Sequence, residues 1–138
     1  MTRHRCGVLD TNAVVLLDRL NPQDLPVEPV ITAVTLAELS AGPLLTEDPV
    51  EQATRQARLQ EAEGAFEPLP FDASAARAFG RVAAGLRRAG RRVQPRAFDA
   101  LIAATAIAHE LPVYTCNPRD FTGIEELTMV AIPHPDGD

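Results

Sequence analysis

Five short apolar runs alternate with segments patterned as helices, and this alternation limits the fold more than any other feature of the chain. Residues 7–9, 29–32, 66–69, 112–116 and 129–132 are too short for stable helices, and Pro, Gly or an acid bounds most of them, so they read as strands. The segment 13–20 reads as a helix with Asn12 as its N-cap and Asn21-Pro22 as its stop. Thr35 opens the next helix, with Glu38 completing a Thr-x-x-Glu capping box and Gly42-Pro43 ending it. Residues 47–63 form a polar helix. A further helix starts at the cap Asp72, carries an apolar stripe of Phe79, Val82, Ala83 and Leu86, and stops before Gly90. Pro95 opens the last helix, and residues 97–108 are apolar almost all round, as in a helix buried on most sides. Strands alternating with helices in this way predict a three-layer α/β/α domain around a central, mainly parallel, five-stranded sheet.

No repeat, linker or low-complexity tract divides the 138 residues, so 1–138 reads as one domain with 133–138 as a polar tail. A domain of this size needs no metal or disulfide to fold, and Cys6 and Cys116 read as two reduced thiols. The apolar runs are too short to span a membrane, and an acid interrupts what would be the core of a signal peptide. The expected compartment is therefore the cytoplasm.

All 13 bases are arginine; the chain contains no lysine. This excludes a P-loop, which needs Gly-Lys-Ser/Thr, and no Gly-x-Gly-x-x-Gly supports a dinucleotide fold. With 19 acids the net charge is −6, which argues against nucleic-acid binding by bulk charge. That sum hides a pattern. Six arginines (Arg81, Arg87, Arg88, Arg91, Arg92 and Arg96) crowd into 16 residues just before the last helix. They read either as a basic patch for RNA, carried chiefly by Arg87, Arg88, Arg91, Arg92 and Arg96, or as a solvated helix end that complements the dipole. The aromatic residues do not interleave with them, so a stacking platform of the RRM kind is not supported.

Four acids sit where a solvated face does not explain them. Asp10 follows Val8-Leu9 at the carboxyl end of the first strand, the edge where parallel sheets collect ligands. Glu38 lies in an apolar helical turn just after the second strand. Asp99 interrupts the most apolar helix, where a charge is costly unless it is paired or metal-bound, although the helix N-terminus favours an anion. Asp120 lies just past the fourth strand, in a turn that Asn117 begins, and either residue could be the fourth site group. Two unit charges ~4 Å apart repel by about 4 kcal/mol at an effective dielectric of 20. A converging set must therefore take up protons or recruit a cation, and all-oxygen donors suit Mg²⁺ or Mn²⁺.

The segments Val8-Leu9-Asp10-Thr11-Asn12, Thr35-Leu36-Ala37-Glu38-Leu39-Ser40-Ala41-Gly42, Phe98-Asp99-Ala100-Leu101-Ile102-Ala103-Ala104-Thr105-Ala106 and Thr115-Cys116-Asn117-Pro118-Arg119-Asp120-Phe121 resemble, in order, the motifs of PIN-domain ribonucleases. More narrowly they resemble VapC toxins of bacterial toxin–antitoxin pairs. The resemblance implies a Mg²⁺- or Mn²⁺-dependent endoribonuclease whose metal-binding and catalytic acids are Asp10, Glu38, Asp99 and Asp120. Thr11 and Asn117 fall where the family often has a polar residue beside the metal. It also implies a homodimer, an RNA substrate, and a VapB-type antitoxin laid along the first helices, where Val14, Val15, Leu16, Leu17 and Leu20 offer apolar surface. Cys116 stands where an arginine is common. Two other readings stay open. In a small-molecule, metal-dependent phosphohydrolase Asp10 would be the nucleophile, but the second aspartate expected two residues on is Asn12. In a catalytically silent module the acidic pocket would only capture a partner's arginine.

Overall fold

A computed structural model describes residues 3–137. Four strands, β1 (Cys6–Leu9), β2 (Glu28–Val30), β3 (Val113–Thr115) and β4 (Met129–Ala131), form one sheet in the order β2-β1-β3-β4. Every pairing is parallel, with Val8 opposite Val30 on one side and Val113 on the other. The helices are α1 (Thr11–Val15), α2 (Ala33–Ala41), α3 (Pro49–Ala65), α4 (Ala73–Arg88) and α5 (Ala97–Ala108).

The sheet has four strands, not the five expected. Segment 66–69 contributes a single bridge, in which the Leu69 N–H donates to the Ile31 carbonyl (2.9 Å) and the Ala33 N–H to the Leu69 carbonyl (2.8 Å). The ladder stops there because its partner turns into α2 at Ala33. Pro68 and Pro70 flank the bridge and carry no N–H, which suits the segment to an unextended edge.

Strand alternation sends neighbouring residues to opposite faces, and each face has its own core. Val8 and Val113 pack with Val82, Leu86, Ile102 and Phe121 against α4 and α5. Leu9 and Tyr114 pack with Val14, Leu20, Ile31 and Leu39 against the opposite helices. Helix α5 buries six residues, among them Ile102, Ala103 and Ala106, as its continuous apolar pattern requires.

The predicted end of α4 is present in detail. Gly90 has φ +74°, its N–H donates to the Arg87 carbonyl, and the Arg91 N–H donates to the Leu86 carbonyl, a Schellman closure. The first helix differs from expectation. Its α-helical part ends at Val15 and continues as a 3-10 turn, Leu17–Arg19. Its cap is Asp10, not Asn12, with Asp10 Oδ1 accepting from the Ala13 N–H at 2.9 Å. Likewise Thr32 caps α2 through the Thr35 N–H, so Thr35 and Glu38 form no capping box and Glu38 is free for another role. Of the predicted polar tail, residue 138 lies outside the described residues, and Asp136 pairs with Arg19. Among the described residues, no helix is long and apolar enough to cross a membrane.

Candidate active site

Parallel strands bring their carboxyl ends to one edge of the sheet, and the four unexplained acids gather there. Asp10 is the first residue past β1, and Asp120 lies in the 3-10 turn Pro118–Phe121 that follows β3. Glu38 is on α2, which β2 feeds, and Asp99 is in the first turn of α5.

Asp10 is 2% exposed, and hydrogen bonds to both carboxylate oxygens hold it. Oδ1 accepts from the Ala13 N–H, and Oδ2 accepts from the Thr115 hydroxyl at 2.6 Å. The Thr115 hydroxyl itself accepts from the Asn117 N–H at 2.9 Å, which leaves its one proton directed at Asp10. Asn117 thus acts here through its backbone. Glu38 is held in a parallel way, because the Thr11 hydroxyl donates to Glu38 Oε1 at 2.6 Å. Thr35 Oγ1 lies 2.9 Å from Thr11 Oγ1. Thr11 has already given its only proton, so Thr35 is the donor of that pair. The Glu38 Oε2 is left to accept from a ligand. No buried side-chain polar atom among the described residues lacks a partner.

Electrostatics shows that these acids share one field. The Asp99 carboxyl is pushed up to about 6, first by burial and then by the charges of Asp120, Asp10 and Glu38, with Arg96 pulling the other way. Burial also raises Asp10, against the hydrogen bonds from Thr115 and Ala13 and with help from Asp120 and Glu38. Burial raises Glu38 against the Thr11 hydrogen bond.

A cleft of about 360 Å³ opens over Glu38 and Asp99, lined also by Thr11, Gln94, Arg96 and Phe98. The Arg96 guanidinium lies 4.0 Å from Asp120 at its margin. Arg91 is committed elsewhere, donating to the Thr122 carbonyl at 2.9 Å. Arg87, Arg88 and Arg92 are exposed around the end of α4. Of the five expected RNA-contacting arginines, the structure brings Arg96 into the cleft.

Among the described residues, no group of three or more Asp, Glu, His or Cys side chains is placed to hold a metal ion. The chemistry of the donors nevertheless suits a hard divalent cation. The site's donors are all oxygen, its charges repel in the absence of a counter-ion, and Mg²⁺ binds through one or two carboxylates while keeping several waters. Asp10 and Asp99 would hold it, with Glu38 and Asp120 close by.

Reading the residues alone missed Thr115 and Thr35. The available signal was a hydroxyl residue closing an otherwise apolar strand, and it is weak. Thr115→Val keeps the shape and removes the donor to Asp10. Loss of such a supporting hydrogen bond costs roughly 10- to 100-fold in metal affinity. Calorimetric titration with Mn²⁺ should show that loss.

The PIN domain family model matches residues 8–127. Over 134 residues the chain is 37% identical to "Ribonuclease VapC5" of Mycobacterium tuberculosis, an alignment covering 95% of this chain and 96% of that protein. It is 33% identical to "Ribonuclease VapC4" of the same organism, over 74% of this chain and 75% of the relative. Among solved structures, the VapBC-5 toxin–antitoxin complex from M. tuberculosis superposes with a TM-score of 0.77 at 34% identity, covering 92% of this chain and 98% of that one.

Proposed function

The chain belongs to the PIN-domain family, and on that premise we propose that it is a VapC-type toxin: an endoribonuclease, dependent on Mg²⁺ or Mn²⁺, that cuts RNA, inhibits translation and growth, and is neutralised by a cognate VapB-type antitoxin. The observation that carries this reading is the convergence of Asp10, Glu38, Asp99 and Asp120 at one sheet edge, where burial first and then the charges of the other three lift Asp99 to about 6. The whole chain acts as one domain in the cytoplasm, as a homodimer.

The reaction is hydrolysis of a phosphodiester by water. A divalent ion held at this edge would neutralise phosphate charge and make a nearby water more acidic. The chain's own residues do the rest. Asp10 and Asp99 would anchor the ion, and Asp120 would complete the acidic wall. Glu38, fixed at Oε1 by Thr11, offers Oε2 to accept a proton from the attacking water. Arg96 at the margin offers N–H donors to a phosphate oxygen, with Arg87, Arg88 and Arg92 continuing the RNA path beyond it.

The partner surface lies elsewhere. A groove of about 510 Å³ runs between α1 and α3, lined by Val14, Val15, Leu17, Ala57, Ala62 and Phe66. Val15 is 37% exposed there, which suits the apolar segment of an antitoxin.

Incubating purified, antitoxin-free protein with total cellular RNA tests this reading. Discrete fragments should form with Mg²⁺ or Mn²⁺ and vanish with EDTA. Absence of cleavage by a folded preparation under every condition would leave a silent binding module in its place.

A further inference from the structure

Phe98 breaks the pattern of its own helix. It sits in the first turn of α5, whose other residues are largely buried, yet it is 56% exposed. It is the most exposed aromatic among the described residues; Phe71, at 38%, comes next. One exposed ring is ordinary on a protein surface; this one stands out because it lines the cleft over the acids. Its position gives a ligand there a chemistry. Phe98 directly precedes Asp99 and lines the same cleft as Glu38, with Arg96 and Gln94 beside it.

We propose that Phe98 is a stacking platform for one base of an unpaired RNA segment, held beside the phosphate that enters the acidic cleft. This rests on the ribonuclease reading and adds to it a contact with one base, which only an unpaired nucleotide can make. A base inside a duplex is already stacked on both faces and cannot reach a ring beside the acids. An exposed ring offers every base the same π-face, so this contact contributes affinity without choosing a sequence. Gln94 on the same wall presents both a donor and an acceptor to a base edge. A second copy of this chain is the other candidate to cover Phe98. It would have to bury Arg96, Glu38 and Asp99 at the same time, an arrangement that is costly unless each finds a partner. A nucleotide supplies phosphate to the arginine and a flat ring to the phenyl.

The test measures binding rather than turnover. The probes are a fluorescein-labelled, random-sequence 12-nucleotide RNA and the same ribose-phosphate backbone without bases. Binding is followed by anisotropy in Ca²⁺, which hard oxygen donors also accept, and gels report any cutting. Phe98→Ala should weaken binding of the RNA by about 5- to 150-fold, the range that stacking one base contributes. It should change binding of the baseless backbone less than about 2-fold, and Phe98→Trp should stay close to wild type. Equal losses on both probes, no loss on either, or no binding of RNA by the wild type would each overturn the proposal. So would a Phe98→Ala variant that binds RNA normally but loses its dimer in size-exclusion chromatography, which would assign the ring to a second copy. Phe98-dependent binding of RNA that Mg²⁺ and Mn²⁺ leave uncut would instead remove the ribonuclease reading and keep this one.

Discussion

Replacing Asp99 with Asn should stop RNA cleavage and make the metal-free protein more resistant to heat. Both effects have one cause. In the absence of a cation, Asp99 is half-buried in the field of Asp120, Asp10 and Glu38, and its carboxyl is pushed up to about 6 from an ordinary 3.8. The unfolded chain therefore releases this proton at a lower pH than the folded chain. Between those two values the folded state binds more protons, so its stability falls as pH rises and stays low above about 6. Asparagine has nearly the same shape and no charge, so it removes that fall. Thermal melts in EDTA across this pH range should show a declining midpoint for wild type and a flatter, higher one for Asp99→Asn. Adding Mg²⁺ should raise the wild-type midpoint and leave the variant nearly unmoved. Cleavage moves the opposite way. On the proposed mechanism the variant lacks an anchor for the ion that would stabilise the phosphate in the transition state, an effect on the order of 10²- to 10³-fold or more in kcat/KM. A variant that is both stable and active would remove Asp99 from the mechanism.

The acids were legible because each breaks a local pattern. Asp99 interrupts Phe98-Asp99-Ala100-Leu101-Ile102, and Asp10 ends Val8-Leu9; burial makes such interruptions expensive, so they stand out. What holds the acids in place was not legible. The Thr115 hydroxyl reaches Asp10 across 105 residues, and nothing local in Tyr114-Thr115-Cys116 separates a site threonine from a strand former. The cap at Asp72 was legible, but two other capping assignments failed for a related reason. Asp10 and Asn12 are both good caps, as are Thr32 and Thr35, and only the exact point where each strand ends selects between them. The fifth strand was overcounted because segment 66–69 has strand composition, while its pairing depends on how far β2 runs before α2 begins. The arginine run was visible, but which arginine faces the cleft depends on the Schellman turn at Gly90 and the 3-10 turn Gln94–Arg96.

Gly7→Val should be strongly destabilising although it lies outside the acidic cluster. Valine is a good strand residue, so propensity alone predicts a gain. Packing decides otherwise. A Cβ at position 7 would lie 2.6 Å from Tyr114 Cε1, 2.8 Å from Cδ1 and 3.2 Å from Pro26 Cβ. Tyr114 is 2% exposed, and its hydroxyl accepts from the His4 N–H at 3.2 Å, so the ring has nowhere to go. Overpacking of this kind costs about 3 kcal/mol, which for a domain of this size lowers Tm by roughly 10 °C. Gly80→Ala is the control: a Cβ there meets nothing within 4 Å on helix α4, and the gain should be roughly 0.4–1 kcal/mol. The double variant Gly7→Val/Tyr114→Leu should lose less than the sum of its single variants, because the leucine vacates the space the valine needs. Additive losses would show that the clash is relieved elsewhere. The same contact bears on the site. Gly7 and Tyr114 lie on the strands β1 and β3; Asp10 directly follows the first, and Thr115 ends the second. A valine that forces these strands apart also lengthens the 2.6 Å bond between Thr115 and Asp10. Gly7→Val should therefore need more divalent cation for half-maximal cleavage even at temperatures where it remains folded, whereas Gly80→Ala should not.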